Sequence, residues 1–275
     1  MNEAEVRHMR SPDVIEAVRQ GRVPVVPVAT LESHDPHLPT DVDVVCAEEV
    51  VLRAARERPD VVLAFPPVSY GYTEHTFDYP GGYSIRPQIL LEFYYDIGES
   101  IAQNGFRRML FVNGHGSNVT IMNLASRLLT LRTPALAASC SWWDLCQDAR
   151  KRVRESEFPG GMSHACELET SAYMYLRPGV TREDLIEDCI SSHNNKWMYS
   201  DMDGKGPIHF VPWWSQTSAN ATTGRPSLAT EDKGREFIDE SVANLIEFCE
   251  FFRDYEPPAK NDRRPEDLQW IPTRR

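Results

Sequence analysis

The feature that most constrains the fold is a regular alternation of strand-like and helix-like segments over residues 22–145. Apolar, β-branched runs typical of buried strands occupy residues 22–30, 60–71, 107–118 and 134–145. Amphipathic patterns typical of helices occupy residues 45–59, 87–106 and 119–132. Because strands that alternate with helices at this spacing pair in parallel, the sequence predicts an α/β fold with a mainly parallel sheet covered on both faces. Such sheets bind ligands at the carboxyl ends of their strands.

Composition and charge argue against several classes of function. The 275 residues carry a net charge of −12 without a basic cluster, so we expect no nucleic-acid partner. No run approaches the length of about 18 apolar residues that a membrane span needs, so we expect no membrane partner. The six cysteines form no CxxC pair, which favours a reducing cytoplasm over a disulfide scaffold. We predict one domain over residues 1–275, with a Pro- and charge-rich tail from about residue 256.

A cluster of metal-ligand side chains follows the first predicted strand. The segment LESHDPHLPTDVDVV, residues 31–45, includes Glu32, His34 and Asp43. Its two prolines forbid regular structure and stiffen the loop. A rigid loop at the end of a strand is a common place for the chemistry of an α/β protein. Taken alone, this cluster is as compatible with a solvated loop as with a binding site.

Two further clusters occur later in the chain. VNGHGSN places His115 between two glycines, where a predicted strand leads into a predicted helix. GGMSHACELET carries His164, Glu167 and Glu169, and on a helix His164 and Glu167 would share a face from which Glu169 is displaced. Taken singly, His115 is equally a turn residue, and a His–Glu pair at this spacing is more often a surface salt bridge.

The three clusters are more informative together than apart. Carboxylates and imidazoles that converge at one edge of a sheet repel one another and lose solvation unless a cation joins them. Because the clusters mix oxygen and nitrogen ligands and use no cysteine ligand, they suit zinc, manganese or iron(II). The sequence therefore favours a metal site at the carboxyl ends of the strands.

With these clusters the chain resembles the creatininase (creatinine amidohydrolase) family. The family motif E-x-H-G-P-H-L-P-x-x-T-D corresponds without a gap to residues 32–43, and N-G-H-G-x-N corresponds to residues 113–118. The motif H-A-G-x-x-E-T corresponds to residues 164–170. Weaker matches are YGYTEHTFDYPGGYSI and TGRPSLATEDKG, so that the resemblance extends from about residue 23 to 235.

The resemblance implies a three-layer α/β/α fold and two divalent metal ions. Asp43 would bridge the ions, Glu32 and His115 would complete one site, and His34 with one further carboxylate would complete the other. Creatininase proper has that carboxylate two residues after the histidine of its second motif, where this chain has Ser117. We therefore assign the role to Glu167, one helical turn from His164.

The resemblance also implies a hydrolase in which a hydroxide that bridges the metal ions cleaves an amide C–N bond, in a small cyclic substrate. His164 would carry the proton to the leaving group, with Glu167 beside it as the second catalytic residue. One alternative is a hydrolase that breaks a C–C bond in a cyclic dione such as 3-dehydro-scyllo-inosose. The third possibility is a non-catalytic metal-binding scaffold. A chain of that kind would be expected to lack one of the ligand residues or His164.

Four further residues are candidates for the substrate pocket, namely His37, His75, Ser117 and Trp143. The histidines are more often hydrogen-bond partners of ligands than ligands themselves, and Trp143 is a candidate wall for a flat ring. Residues 191–206 have no counterpart in the family motifs and are either a lid or a polar surface loop.

The resemblance implies, finally, a homo-oligomer, commonly a hexamer. Aromatic residues concentrate in EFYYDIGES, in the tryptophan pairs at 142/143 and 213/214, and in LIEFCEFFRDY. An exposed apolar patch on a protein of this size usually marks a contact, although these side chains could also fill the core of one chain. Apart from itself, the predicted partner of the protein is a small-molecule substrate.

Overall fold

The structure, a computed structural model, describes residues 3–264 of the chain. The parallel strands of its central sheet are β1 (Val23–Val28), β2 (Val62–Ala64), β3 (Arg108–Asn113) and β4 (Leu136–Ser141). Across the sheet their order is β2-β1-β3-β4, and Val25 of β1 lies opposite both Ala64 and Leu110. The predicted parallel sheet is therefore confirmed.

Helices cover both faces of this sheet. In the described residues the α-helices are α1 (Ser11–Arg19), α2 (Val42–Glu57), α3 (Pro87–Gln103), α4 (Val119–Arg132), α5 (Gln147–Val153), α6 (Glu167–Leu176) and α7 (Glu231–Asp254). One hydrophobic core holds α1, α3 and α4, and the other holds α2, α5, α6 and α7. This arrangement confirms the three-layer α/β/α fold.

The alternation of side chains along β3 explains why two cores form. Met109 and Phe111 contribute to one core, whereas Leu110 and Val112 contribute to the other, because successive residues of a strand point to opposite faces. All four side chains are almost completely buried. A strand buried on both faces appears in the sequence as a continuous apolar run, which is the pattern observed here.

The ends of the long helices follow from local chemistry. After α3 the chain turns at Gly105, which adopts a φ of +102°, a conformation that residues with a Cβ rarely take. At the start of α7 the hydroxyl of Thr230 accepts a hydrogen bond from the backbone N–H of Lys233 (3.2 Å).

Two small antiparallel pairs lie outside the main sheet. The strand β5 (Met162–His164) pairs with a later strand, and β6 (Ser200–Asp201) pairs with β7 (Gly204–Lys205). The partner of β5 is β8 (Thr223–Gly224). The β6–β7 hairpin forms the end of the segment 191–206 that has no counterpart in the family motifs.

The remaining expectations about organisation have mixed outcomes. Residues 255–264 contain neither helix nor strand, and the part of the predicted tail from residue 265 onward lies outside the described residues. None of the helices in residues 3–264 combines the length and apolar character that crossing a membrane requires. Trp142 and Trp143 are buried, so that this pair does not belong to an exposed aromatic surface.

Candidate metal centre

Three side chains from separate parts of the chain meet at the carboxyl edge of the sheet. The Nδ1 atom of His115 lies 3.0 Å from Oε1 of Glu32 and 3.1 Å from Oδ2 of Asp43. Glu32 follows β1, Asp43 lies in the first turn of α2, and His115 follows β3. Because β1 and β3 are adjacent parallel strands, their carboxyl ends bring Glu32 and His115 together.

A second group of three shares Asp43 with the first. The Nε2 atom of His34 lies 3.3 Å from Oδ1 of Asp43 and 4.0 Å from Oε2 of Glu169. In each group the candidate ligand atoms lie within 4.8 Å of one another, and every residue involved is buried. Asp43 therefore directs one oxygen toward each group, which is the arrangement that a bridging carboxylate requires.

Backbone carbonyl groups fix the orientation of each imidazole. His115 donates from Nε2 to the carbonyl of Tyr72 (3.0 Å), and His34 donates from Nδ1 to the carbonyl of Glu32 (3.3 Å). In both rings the other nitrogen faces the carboxylates. Metal-binding histidines are commonly held in this way, because the carbonyl fixes the ring and selects the tautomer.

A glycine allows the second motif to approach Asp43. A Cβ atom on Gly114 would lie 2.2 Å from the backbone oxygen of Asp43, a distance that no side chain tolerates. The neighbouring Asn113 braces the turn, since its Nδ2 donates to the carbonyl of His115 (2.7 Å) and its Oδ1 accepts from the backbone N–H of His115 (3.1 Å). Glycine at position 114 is thus required for the contact between α2 and the end of β3.

The carboxylates of the centre determine the charge of its imidazoles. Burial opposes protonation of His34, but Asp43 beside it raises the pKa of its imidazole to about 9, and Glu32 raises the pKa of His115 well above its usual value in the same way. Burial likewise opposes ionisation of Glu32, yet His115 lowers the pKa of that carboxyl. The centre therefore attracts positive charge strongly.

The arrangement fits divalent metal ions. Nε2 of His34 and Oδ2 of Asp43 are buried and have no hydrogen-bond partner among the described residues, although each faces groups of opposite charge. Metal bonds of about 2.0–2.2 Å to nitrogen and oxygen place neighbouring ligand atoms roughly 3–4 Å apart. The spacings between His34, His115 and their carboxylates fall in this range.

His164 lies next to both groups. Its Nε2 donates to the carbonyl of Ser33 (2.9 Å), and its Nδ1 lies 3.6 Å from Oε1 of Glu32. The ring packs against that of His34 with 4.2 Å between centroids. Burial, helped by the charge of His34, lowers the pKa of His164 to about 4, which keeps this imidazole neutral. It lies at the end of β5 and not on a helix, contrary to the sequence-based expectation.

The structure does not bring Glu167 to the metal groups. Its carboxylate accepts hydrogen bonds from Nζ of Lys233 (2.6 Å) and from the backbone N–H groups of Glu155 (3.0 Å) and Ser156 (2.9 Å). Glu167 begins α6, and a side chain two positions further along a helix points in nearly the opposite direction. For this reason Glu169, and not Glu167, faces His34.

A large cavity opens over the centre. Its volume is about 1420 Å³, and Glu32, Asp43, His115, His164 and Glu169 line one end of it. Three of the predicted pocket residues, His75, Ser117 and Trp143, line it as well.

Two wall residues of this cavity are notable. Burial lowers the pKa of His75 to about 4, so its ring is neutral. Trp214 lies edge-on to the rings of both His75 (5.2 Å between centroids) and His164 (4.9 Å). Trp214 thus forms part of the wall beside the centre, a role for which the sequence favoured Trp143.

His37 does not line the cavity. It is buried, and its Nε2 shares a hydrogen bond with Oγ1 of Thr170 (2.9 Å), the residue after Glu169. His37 therefore supports the first turn of α6 from behind and has no direct access to a substrate.

The sequence contained a signal for Glu169 that the assignment of Glu167 overlooked. In the motif H-A-G-x-x-E-T the glutamate stands five residues after the histidine, and five residues after His164 is Glu169. The glycine of that motif is replaced here by Cys166, whose Sγ lies 3.9 Å from Oε2 of Glu169. For Trp214 the only signal was the aromatic run in which it stands.

Comparison with known proteins gives a family match over most of the chain. The family model described as "Creatininase: Creatinine amidohydrolase" matches residues 7–249. The chain is similar to the mycofactocin precursor peptide peptidase of Mycolicibacterium smegmatis, with 33% identity over 88% of this chain and 92% of the relative. It is also similar to the 3-dehydro-scyllo-inosose hydrolase of Thermotoga maritima, with 24% identity over 95% of this chain and 89% of the relative.

Solved structures share the fold. A mutant creatininase of Zn–Zn type and a creatininase with Mn each superpose with a TM-score of 0.75 at 24% identity. The matches cover 92% and 91% of this chain, respectively, and 99% of each solved chain.

Proposed function

Because this chain belongs to the creatininase family, a family of hydrolases, we propose that it is a metal-dependent hydrolase that cleaves an amide C–N bond. The observation that carries the proposal is the convergence of Glu32, His34, Asp43, His115 and Glu169 into two groups that share Asp43. The three buried carboxylates of this arrangement repel one another unless positive charge lies among them.

We propose that the centre binds two divalent ions, namely zinc, manganese or iron(II). Glu32, Asp43 and His115 would hold one ion, and Asp43, His34 and Glu169 the other, with Asp43 between them. Such ions supply an acidified water and polarise a carbonyl group at neutral pH. The donor set of carboxylates and imidazoles suits all three metals.

The residues of the chain account for the rest of the reaction. His164 lies at the edge of the centre with its Nδ1 directed to Glu32, so this nitrogen can accept the proton that the water loses and deliver it to the leaving nitrogen. The hydrogen bond to Ser33 holds the ring in the orientation that this requires. The products are a carboxylic acid and an amine, with the water oxygen on the acyl carbon. Trp143 and Trp214 line the cavity beside the centre.

The proposal also specifies which kind of bond is cleaved. The family description and the similarity to a peptidase both favour an amide, either in a small ring or in a peptide. The similarity to 3-dehydro-scyllo-inosose hydrolase favours the second candidate, cleavage of a C–C bond in a cyclic dione. A scaffold without activity is disfavoured by the presence of His164 beside a complete set of ligand residues.

Hydrolysis assays with metal-loaded protein test the proposal. We expect turnover of at least one member of a panel of lactams, N-acyl amides and short peptides. This activity should be lost after chelation of the metal and should return when zinc or manganese is added. Turnover of an inositol-derived ketone and of no amide would support C–C cleavage instead. No turnover of either class by protein that contains stoichiometric metal would contradict the proposal.

We further propose that the chain is one domain that assembles into a homo-oligomer, a hexamer by family resemblance, in a reducing cytoplasm. Exposed aromatic side chains support the assembly: Phe93, Trp213 and Phe251 are each exposed to at least half of their surface. All six cysteines are free, which suits a reducing compartment. The segment 191–206 contributes to the wall of the cavity in its own chain, which supports its role as a lid.

A further inference from the structure

The cavity extends well beyond the metal centre. Its far wall is built by α5, by the segment 154–160 and by the β6–β7 hairpin, none of which belongs to the metal groups. A volume of about 1420 Å³ exceeds the roughly 300–1000 Å³ of typical small-ligand sites. A substrate that reacts at the centre therefore has room to contact this wall with a second group.

Arg150 is a buried polar group of this wall whose hydrogen-bonding capacity is only partly used. The residue lines the cavity, yet only 3% of its surface is exposed. Its Nη1 donates to the carbonyl of Trp143 (2.8 Å). Its Nε lies 2.9 Å from Oδ1 of Asp203 but makes no hydrogen bond there, and its Nη2 has no hydrogen-bond partner in residues 3–264.

Arg154, one helical turn away from Arg150, uses its full hydrogen-bonding capacity. All five of its N–H groups are used, because they donate to both carboxylate oxygens of Asp201, to Asp203, and to the carbonyl groups of Ser156 and Glu157. Arg154 thus ties the β6–β7 hairpin to the rest of the wall. Asp203 is held by Arg154 at 2.5 Å, so the hairpin does not depend on Arg150 alone.

The part of the cavity outside the metal groups does not share the acidic excess of the chain. Outside the metal groups its lining includes four basic side chains and three acidic ones, although the chain carries a net charge of −12. A buried guanidinium with unused donors in such a setting favours an oxygen acceptor, and a carboxylate most of all, because charge-assisted hydrogen bonds are the strong ones.

We propose that Arg150 binds a carboxylate of the substrate while the scissile amide lies at the metal centre. The substrate class is then an anionic amide, such as an acylated amino acid or a short peptide with a free carboxyl terminus. This inference rests on the proposed function and makes it more specific. Trp143 links the two ends of the substrate site, since its ring lines the cavity and its carbonyl accepts from Arg150.

The experiment compares two probes that differ in one group, N-acetyl-alanyl-alanine and its carboxyl-terminal amide. Their binding to the full, metal-loaded chain is measured by calorimetry. We expect the free acid to bind on the order of 10- to 100-fold more tightly than the amide, as one charge-assisted hydrogen bond provides. Arg150→Gln should abolish this ratio while the metal content stays that of the wild type.

Two further variants make the result decisive. Arg152→Gln removes a cation of the same helix that does not line the cavity and whose side chain is 57% exposed, and it should leave the ratio unchanged. Arg150→Lys keeps the charge and should retain part of the ratio, which tests the inference even where Arg150→Gln fails to fold.

Equal binding of the two probes to the wild type, no binding of either up to millimolar concentration, or an unchanged ratio in a folded Arg150→Gln would overturn the inference. An unchanged ratio would mean that a metal ion or another cation binds the carboxylate. The proposed function fails separately, through protein that contains metal but hydrolyses no amide.

Discussion

Glu167 and Glu169 stand two residues apart in the first turn of α6, and their carboxylates point to different parts of the protein. Glu169 faces His34 at 4.0 Å, whereas Glu167 pairs with Lys233 at 2.6 Å. Both are almost completely buried, so each carboxylate needs compensation where it lies. The helix thus separates a structural carboxylate from a candidate metal ligand within three positions.

This separation yields a matched pair of substitutions that remove the same charge. We expect Glu169→Gln to reduce the metal content by about one ion per chain, since it weakens only the group that contains His34. Glu167→Gln should keep the full metal content. Elemental analysis of both variants, purified identically without chelators, measures the difference. Metal loss in Glu167→Gln with full content in Glu169→Gln would reverse the assignment.

Glu167→Gln should act on stability instead. The amide can still accept from the backbone of residues 155 and 156, but Lys233 loses its buried anionic partner and keeps the more exposed Glu155 and the carbonyl of Leu228. We expect the free energy of unfolding to fall by about 1–3 kcal/mol. Urea titration of variant and wild type measures this. A change within experimental error would show that the ion pair contributes nothing net.

His164→Ala should separate proton transfer from metal binding. His164 forms a third candidate group with Glu32 and His34, but both groups that contain Asp43 are complete without it, so we expect the metal content to remain unchanged. Turnover should fall by about 10²- to 10⁴-fold, as the loss of a general acid–base residue usually causes. Parallel measurement of metal content and of turnover decides the matter. A loss of metal in this variant would make His164 a ligand, consistent with its distance of 3.6 Å from Glu32.

Thr73 offers a test of how the ligands are positioned. Its buried hydroxyl donates to Oε2 of Glu32 and also contacts the hydroxyl of Thr76 (2.9 Å). We expect Thr73→Val to weaken metal affinity by about 10- to 100-fold, because the hydrogen-bond partners of ligands orient them. The matched control is Thr130→Val. Thr130 lies on α4, and its hydroxyl is hydrogen-bonded to the backbone of Ala137 on β4. Competition with a chelator measures both affinities, and equal values would contradict the assignment.

Assembly is tested by light scattering at micromolar concentration with metal present. The exposed surfaces of Phe93 and Phe251 lie on α3 and α7, where burial in a contact would remove apolar area from water. We expect a mass of about six times the 31.4 kDa of one chain. A mass near 31.4 kDa would exclude a stable oligomer under these conditions.

The fold was predictable because its signals are local and repeated. Each long apolar run became a strand, and α4 occupies residues 119–132, which is the range that its pattern predicts. The first two clusters were predictable for the same reason, since parallel strands bring their carboxyl ends to one edge. Glu32 and His115 meet there because β1 and β3 are neighbours.

The third cluster was harder to interpret because its helix begins later than the pattern suggests. The chain is extended through His164, turns at Ala165 with a φ of +47°, and enters α6 only at Glu167. That turn resets the helical phase, so the expected shared face of His164 and Glu167 does not exist. Periodicity cannot reveal such a turn. The position of Glu169 in the family motif, however, did indicate which glutamate belongs to the centre.

The far wall of the cavity could not be predicted from the sequence. Contrary to the expectation of no basic cluster, the chain has a short one that consists of Arg150, Lys151, Arg152 and Arg154, and no pattern distinguishes its buried members from the exposed ones. Contacts with residues some 50 positions away make the distinction, as Asp201 and Asp203 do for Arg154. Trp214 is similar, because its place beside His75 depends on a contact between residues 139 positions apart in the chain.

The central claim is that Asp43 joins two metal positions, and titration of metal-free protein with zinc or manganese in a calorimeter tests it most directly. The account predicts two ions per chain for the wild type and a severe loss of affinity at both positions for Asp43→Asn, since each group depends on one oxygen of that carboxylate. Binding of two ions with unchanged affinity by Asp43→Asn, or of no ion by the wild type, would contradict it.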